Sequence, residues 1–238
     1  MGLHSCLGAP SADHGQPSHE QAPAPAPVAR RRPTLAHPHV DMGPLSSPAI
    51  PDGMYFASNF LTGVGMLIIQ PATGKVVVVY DPDVEAWFFP KGRKDMGESL
   101  TDAALREAYE ESGYRVSLMP LPTPTRAPTV PGDSREFPGR RLNTEPIYVS
   151  TYFWEKSRHR REPGIYFTFW FVGEIPEDAE HHEDTGMENE KHYITHLLDF
   201  DEAASKLDGV NLQVLDVGYQ LWQHKVKALS QSVSEAAT

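Results

Sequence analysis

The order of elements along the chain, strands, one helix, more strands and then two helices, predicts an α+β domain built on a mixed sheet. Three observations carry this reading. Aliphatic, β-branched runs at 63–70 and 75–81 flank Pro71-Ala72-Thr73-Gly74, a turn signal between paired strands. A helix with a start signal at Ser99 and a glycine stop at Gly113 follows. Aromatic-rich runs at 145–154 and 165–175 then give the strongest strand signals, ahead of a helical C-terminal third.

In order, 63–70 and 75–81 read as a hairpin, and Ala86-Trp87-Phe88-Phe89 as a further short strand closed by Pro90 and Gly92. Gly92 and Gly97 flank a turn. Ser99, followed three residues later by Asp102, forms a capping box, and Gly113 stands where a C-terminal glycine stop belongs. Residues 114–118 read as a strand. Residues 119–143 carry six prolines and read as a long irregular insertion. The two aromatic strands are joined by a basic loop. Residues 192–198 read as a strand, and Asp199 with Glu202 as the start of a helix. A last helix is expected from about Val210 to Lys227, with Leu212, Leu215, Tyr219, Trp222 and Val226 at helical spacing.

Composition sets the outer limits. Of 22 prolines, ten fall within the first 51 residues, so 1–52 reads as a disordered tail. The folded domain is expected over 53–229, with the insertion at 119–143, and 230–238 as a flexible C-terminal tail. The single cysteine, Cys6, excludes a disulfide framework and a Cys-based zinc site. No apolar run is long enough to span a membrane, and no secretory signal is visible, so an intracellular setting, cytoplasm or nucleus, is expected. The net charge of −11 argues against simple adhesion to nucleic acid or to an anionic membrane. Charge is segregated, however: residues 135–161 are net +4, while 174–190 hold eight carboxylates and no Lys or Arg. Such a chain is compatible with a local basic pocket for a small polyanion.

The segment from Gly92 to Tyr114 carries the chemistry. Glu107, Glu110 and Glu111 lie at i, i+3 and i+4 and so share one helix face. Like charges at that spacing repel by roughly 0.2–0.5 kcal/mol per pair, and Arg106 cannot neutralise all three. A hard divalent cation can, and an oxygen-only donor set suits Mg²⁺ or Mn²⁺. Glu98 stands just before the helix, and glycines at 92 and 97 let backbone atoms approach metal or phosphate.

This stretch matches the Nudix box at every defined position: Gly92, five residues, Glu98, seven residues, Arg106-Glu107, apolar Ala108, one residue, Glu110-Glu111, one residue, Gly113 and apolar Tyr114. Chance agreement in a chain of this length is on the order of 10⁻⁶ at average residue usage. The chain therefore resembles the Nudix hydrolase superfamily. The resemblance implies an α/β/α sandwich with the box as loop–helix–loop against a mixed sheet. It also implies hydrolysis of a pyrophosphate linkage, with Mg²⁺ or Mn²⁺ held by Glu107, Glu110 and Glu111 and a carbonyl supplied by Gly92. By the same resemblance Glu98 assists, Arg106 braces the glutamates, and the proton goes to Glu107 or to a carboxylate outside the box. Glu188 and Glu190 are the candidates for that further ligand or base.

Substrate choice stays open at this level. Phe88 to Glu98 resembles the segment leading into the box of diadenosine polyphosphate and diphosphoinositol polyphosphate hydrolases and of decapping enzymes. Lys91, Arg93 and Lys94 beside the metal loop, with Arg140, Arg141, Arg158 and Arg160 near the strands, suit a highly phosphorylated small molecule. The alternatives are an RNA pyrophosphohydrolase or decapping enzyme, for which Tyr148, Tyr152, Trp154 and Tyr166 offer stacking surfaces, and a binding module without turnover. The histidines at 181, 182, 192 and 196 carry no firm message.

Overall fold

The computed structural model describes residues 45–46, 53–128, 142–156, 162–188 and 190–236. Residues 50–238 form one compact unit. Most of the tail at 1–52, much of the insertion, and Arg140, Arg141, Arg158 and Arg160 lie outside the described residues.

Eight described strands form one mixed sheet: β1 (Phe60–Gln70), β2 (Lys75–Asp81), β3 (Ala86–Phe88), β4 (Lys91–Arg93), β5 (Ser117–Leu118), β6 (Tyr148–Trp154), β7 (Gly164–Glu174) and β8 (Ile194–Leu198). The centre is β1 beside β7, paired in parallel from Phe60↔Ile165 to Ile69↔Glu174. The other edge of β1 is shared. Its C-terminal end pairs with β2 at Ile68↔Val77, and its N-terminal half pairs with β4 at Val64↔Gly92. The chain thus leaves β2 in β3, turns at Pro90 and joins β1 in β4, which opens a split in the sheet. On the far edge of β7, β6 covers the N-terminal half and β5 the C-terminal end.

Alternation along β1 sends its side chains to two cores. Val64, Met66 and Ile68 pack with Ala103, Ala104 and Ala108 of helix α1 (Leu100–Ser112). Leu67 and Ile69 face Ala203 of helix α2 (Phe200–Lys206) and Val214, Leu215 and Leu221 of helix α3 (Gly209–Ala236). The three fully buried alanines let α1 lie close against the sheet. This is the expected sandwich, with helices on both faces.

Several elements depart from the sequence reading. The segment after Pro90 is a strand, because Lys91–Arg93 finds an open edge on β1. The strand expected at 114–118 shortens to its last two residues, since Tyr114 instead makes an isolated bridge to His181. The visible ends of the insertion are tied down rather than loose. Met119 and Leu121 are buried, and Leu121 bridges Asn143, whose Nδ2 donates to the Thr123 carbonyl at 2.9 Å. Asp199 stands at the start of α2, but its side chain makes no capping hydrogen bond. Helix α3 runs past Lys227 to Ala236, into the stretch expected to be a tail, because nothing between them is Gly or Pro. Its buried stripe is Val214, Leu215, Gly218 and Leu221; Val226, expected on it, is exposed. No described helix is long and apolar enough to cross a membrane.

Candidate active site

Helix α1 is fixed at both ends. The backbone N–H of Asp102 donates to Ser99 Oγ at 3.1 Å, and the Ser99 hydroxyl donates to the Asp102 carboxylate at 2.6 Å. At the other end Gly113 adopts φ +74°, a left-handed conformation that glycine enters without steric cost, and its N–H donates to the Tyr109 carbonyl. Between these caps the helix aims its glutamates at β4.

Arg106 is the hub. Its Nε donates to Glu98 Oε1 at 2.9 Å, and Nη2 to Glu98 Oε2 at 3.0 Å and to the Arg93 carbonyl at 2.9 Å. Nη1 donates to Glu107 Oε1 at 2.8 Å and to Glu110 Oε2 at 2.9 Å. One guanidinium thus binds three carboxylates and one carbonyl, and fastens the helix, the preceding loop and β4 together. Hydrogen bonding to Glu98 holds the guanidinium firmly protonated. Glu98 also accepts from the Asp95 N–H at 3.0 Å. The guanidinium beside it, then this N–H, keep its carboxyl below the ordinary range. Glu98 is accordingly a brace for Arg106 and a poor proton acceptor.

Two carboxylates pay the cost of burial. Glu107 is 8% exposed and Glu111 7% exposed. Burial is the main cause that raises Glu107 above its ordinary value, against the pull of Arg106. Burial pushes Glu111 up to about 8, although the Lys91 N–H donates to its Oε2 at 2.6 Å. Gly92 explains how Glu107 fits: a Cβ there would lie 2.0 Å from Glu107 Oε2, so only a bare Cα admits the carboxylate.

Of the two later candidates, only Glu190 reaches the site. It lines a cleft of about 790 Å³ with Glu107, Glu110, Arg106, Gly92 and Lys91, and its charge contributes to the raised values of Glu107 and Glu111. The Met187 N–H donates to Glu190 Oε2 at 3.0 Å and sets its direction. Glu188 turns outward and pairs with Lys191 at 2.7 Å, so it is not a ligand of this cleft. Lys91, Arg93 and Lys94 all line the same cleft.

The cluster therefore gathers Glu98, Glu107 and Glu110 on a single guanidinium, with Glu190 in the same cleft and Glu111 coupled by charge to Glu107 and Glu190; Glu107 and Glu111 are buried. This donor set fits Mg²⁺ or Mn²⁺: all oxygen, carboxylate-rich, and under-neutralised by the protein. The ligand atoms of Asp81, Asp83 and His192 form a second grouping, all within 4.8 Å of one another, and it too fits a divalent cation. His192 Nε2 stands 3.1 Å from Asp81 Oδ1 and 3.5 Å from Asp83 Oδ2. Tyr193 lies between the two groupings; burial, then Glu111, Asp81 and Glu190, push its phenol up to about 12. Sequence spacing did not reveal Asp81 with His192, because only the pairing of Tyr80 with Ile194 in the sheet brings them together.

A NUDIX domain profile matches residues 59–214. Among curated proteins, the chain is 44% identical over 49 residues to an 8-oxo-(d)GTP phosphatase of Mycolicibacterium smegmatis, covering 21% of this chain and 15% of that protein. It is 39% identical over 61 residues to nucleoside diphosphate-linked moiety X motif 6 of Xenopus laevis, covering 25% and 28%. It is 35% identical over 74 residues to an RNA pyrophosphohydrolase of Shewanella frigidimarina, covering 31% and 42%. These matches span less than half of each relative. Among solved structures, E. coli dihydroneopterin triphosphate pyrophosphohydrolase aligns with TM-score 0.44 and 18% identity, covering 65% of this chain and 92% of that one.

Proposed function

The chain belongs to the NUDIX domain family, and from that premise we propose that it is a metal-dependent pyrophosphohydrolase of a highly phosphorylated small molecule, a diadenosine polyphosphate or a diphosphoinositol polyphosphate. The observation that carries the reading is the packing of Glu107 and Glu111 in the interior against β4, beside Arg106, Glu110 and Glu190. A fold with no use for cations has no reason to bury two neighbouring carboxylates at the head of an open cleft.

Mg²⁺ or Mn²⁺ held by Glu107, Glu110 and Glu111 would neutralise the diphosphate and acidify an attacking water. The protein's own contributions are separate. Arg106 fixes the carboxylate geometry through its five hydrogen bonds. Glu107 and Glu190 are the carboxylates placed to take a proton in the cleft, whereas Glu98 is committed to Arg106. Lys91, Arg93 and Lys94 supply positive charge along the wall, where phosphate groups of the substrate would run.

The test is cleavage by the purified chain with Mg²⁺ or Mn²⁺, with product masses read directly. The panel holds diadenosine hexaphosphate, diphosphoinositol pentakisphosphate, ADP-ribose, 8-oxo-dGTP and capped RNA. Metal-dependent cleavage of either of the first two supports the proposal. Cleavage of capped RNA alone would replace it with the decapping alternative, and binding without turnover would replace it with the binding module.

A further inference from the structure

The loop that delivers Glu190 is tied to the carbonyl end of α1. The last carbonyls of a helix have no partner inside it. The Tyr114 N–H would be the helical partner of the Glu110 carbonyl, but it donates to Ser112 Oγ at 3.2 Å. The Glu110 carbonyl instead accepts from Thr185 Oγ1 at 2.9 Å. The Gly113 carbonyl accepts from the His182 N–H, also at 2.9 Å. The two histidine rings meet tyrosines at this end of the helix edge to face. His181 lies against Tyr114 and His182 against Tyr109, with ring centres 5.0 and 5.8 Å apart.

From Thr185 the hold passes to Glu190 through a few atoms. Gly186 packs on both partners: a Cβ there would lie 3.0 Å from the Glu110 carbonyl oxygen and 3.1 Å from Glu190 Cβ. The Met187 N–H donates to Glu190 Oε2 at 3.0 Å, and the Glu190 N–H donates to the Met187 carbonyl at 2.8 Å. Thr185, Gly186 and Met187 thus link the backbone of Glu110 to the carboxylate of Glu190. Asp184, just before this contact, adopts φ +58°, a left-handed conformation that Asp tolerates better than most residues. Beneath the contact the packing is open. A cavity of about 400 Å³ lies between loop and helix end, lined by Glu111, His181, Thr185, Glu190 and Tyr193 among others.

We propose that Thr185 is a positioning residue: its hydroxyl fastens the Glu190 loop to α1 and so fixes the Glu190 carboxylate against Glu107 and Glu110. The inference rests on the hydrolase reading above. The Thr185 side chain is outside the glutamate cleft, so it acts through Glu190. Misplacing a group by about 1 Å in such a site costs as much as ~10²-fold in rate. A residue that only stabilises the fold behaves differently in one respect. A positioning residue has no further effect once the carboxylate it places is gone.

The test uses the full chain in a cycle of Thr185→Val, Thr185→Ser, Glu190→Gln and the double variant Thr185→Val with Glu190→Gln. The first readout is turnover of whichever substrate of the panel is cleaved. Thr185→Val is expected to lower kcat about tenfold with KM within about twofold of wild type, and Thr185→Ser to restore it. On Glu190→Gln, Thr185→Val should add no further loss. The second readout is titration of Mn²⁺ alone, followed by its electron paramagnetic resonance signal. Here Thr185→Val should weaken binding about tenfold, and the double variant should bind no more weakly than Glu190→Gln. If wild type cleaves nothing on the panel, the hydrolase reading falls and the Mn²⁺ cycle alone decides on Thr185. If Thr185→Val does not fold, Gly186→Ala takes its place in both readouts, since it presses on Glu110 and Glu190 while keeping the hydroxyl. Equal losses with and without the Glu190 carboxylate would overturn the proposal. So would wild-type behaviour of Thr185→Val, or failure of Thr185→Ser to recover.

Discussion

The two sides of β1 near β4 are built from the same short stretch of sheet and do opposite things. On the α1 side, carboxylates a turn apart on one helix are packed against Gly92 and tied by Arg106. On the other side, rings and hydroxyls from β6 and β7 line a cavity of about 450 Å³ over Gly63 and Gly65. The first side concentrates carboxylates, and the second carries no carboxylate among its described lining residues and a single cation, Lys91. The comparison teaches that glycine serves both by the same means. It removes a Cβ so that a carboxylate can enter at one position and aromatic rings at two others.

The charged side should break most sharply. Glu111→Gln keeps the shape and the hydrogen bond from the Lys91 N–H but removes a metal-binding charge. Turnover in Mg²⁺ is expected to fall by a factor on the order of 10²–10⁴, with an unaltered circular dichroism spectrum. Chelation of the metal from wild type should give the same loss, reversed by adding it back. Activity of Glu111→Gln within a fewfold of wild type would remove Glu111 from the ligand set.

The aromatic side should break in stability. In Gly65→Ala, the new methyl would stand 2.4 Å from the buried Trp170 ring, which cannot retreat without leaving its hydrogen bond to Ser150. Overpacking of this kind costs about 1–3 kcal/mol, or roughly 2–4 °C in Tm for each kcal/mol in a domain of this size. A melting temperature equal to that of wild type would show that the ring has room to move, and that Gly65 is not what shapes the cavity.

The two sides also differ in how far they were legible in the chain. The glutamate cluster is local: positions 98 to 113 fix its spacing, and the helix that displays it has its caps in the same segment. The cavity is not local, since its residues come from 63–65, 91–92, 150–152, 166–170 and 210 and meet only through strand register. Register likewise hid the approach of His192 to Asp81, and a loop turn decided that Glu190 faces the cleft while Glu188 faces solvent. The stripe expected on α3 holds at Leu215, buried, and at Leu212, Tyr219 and Trp222, which pack partly buried against the core, and fails at Val226, which is exposed. Gly218, which carries no apolar side chain to mark it, is where the helix crosses closest to Leu67. Alternating aromatics at 148, 152, 154 and 166 marked one face of the strands, but the glycines that make it a cavity sit on another strand.

The last effect concerns the metal-free protein, and it follows from the cost of burying Glu111. In the unfolded chain this carboxyl titrates near 4.5, and in the fold near 8. Between those values the folded state holds a proton that the unfolded state has released, so stability must fall as pH rises. Glu107 acts in the same direction. Glu98 acts oppositely, but its window lies below its ordinary value, and the raised Arg106 titrates far above the range. Tm of the metal-free chain is therefore expected to decline from pH 5 to pH 8 and then flatten. Where a full proton is lost, the loss is about 1.4 kcal/mol per pH unit. Mg²⁺ or Mn²⁺ binds the ionised carboxylates, so its addition should raise Tm more at pH 8 than at pH 5 and offset the decline. Glu111→Gln should flatten the metal-free profile, because its amide has no proton to lose. A metal-free wild-type profile that is level from pH 5 to pH 8, or that rises, would mean that Glu111 is ionised in the fold throughout. The interior would then tolerate its charge without a cation.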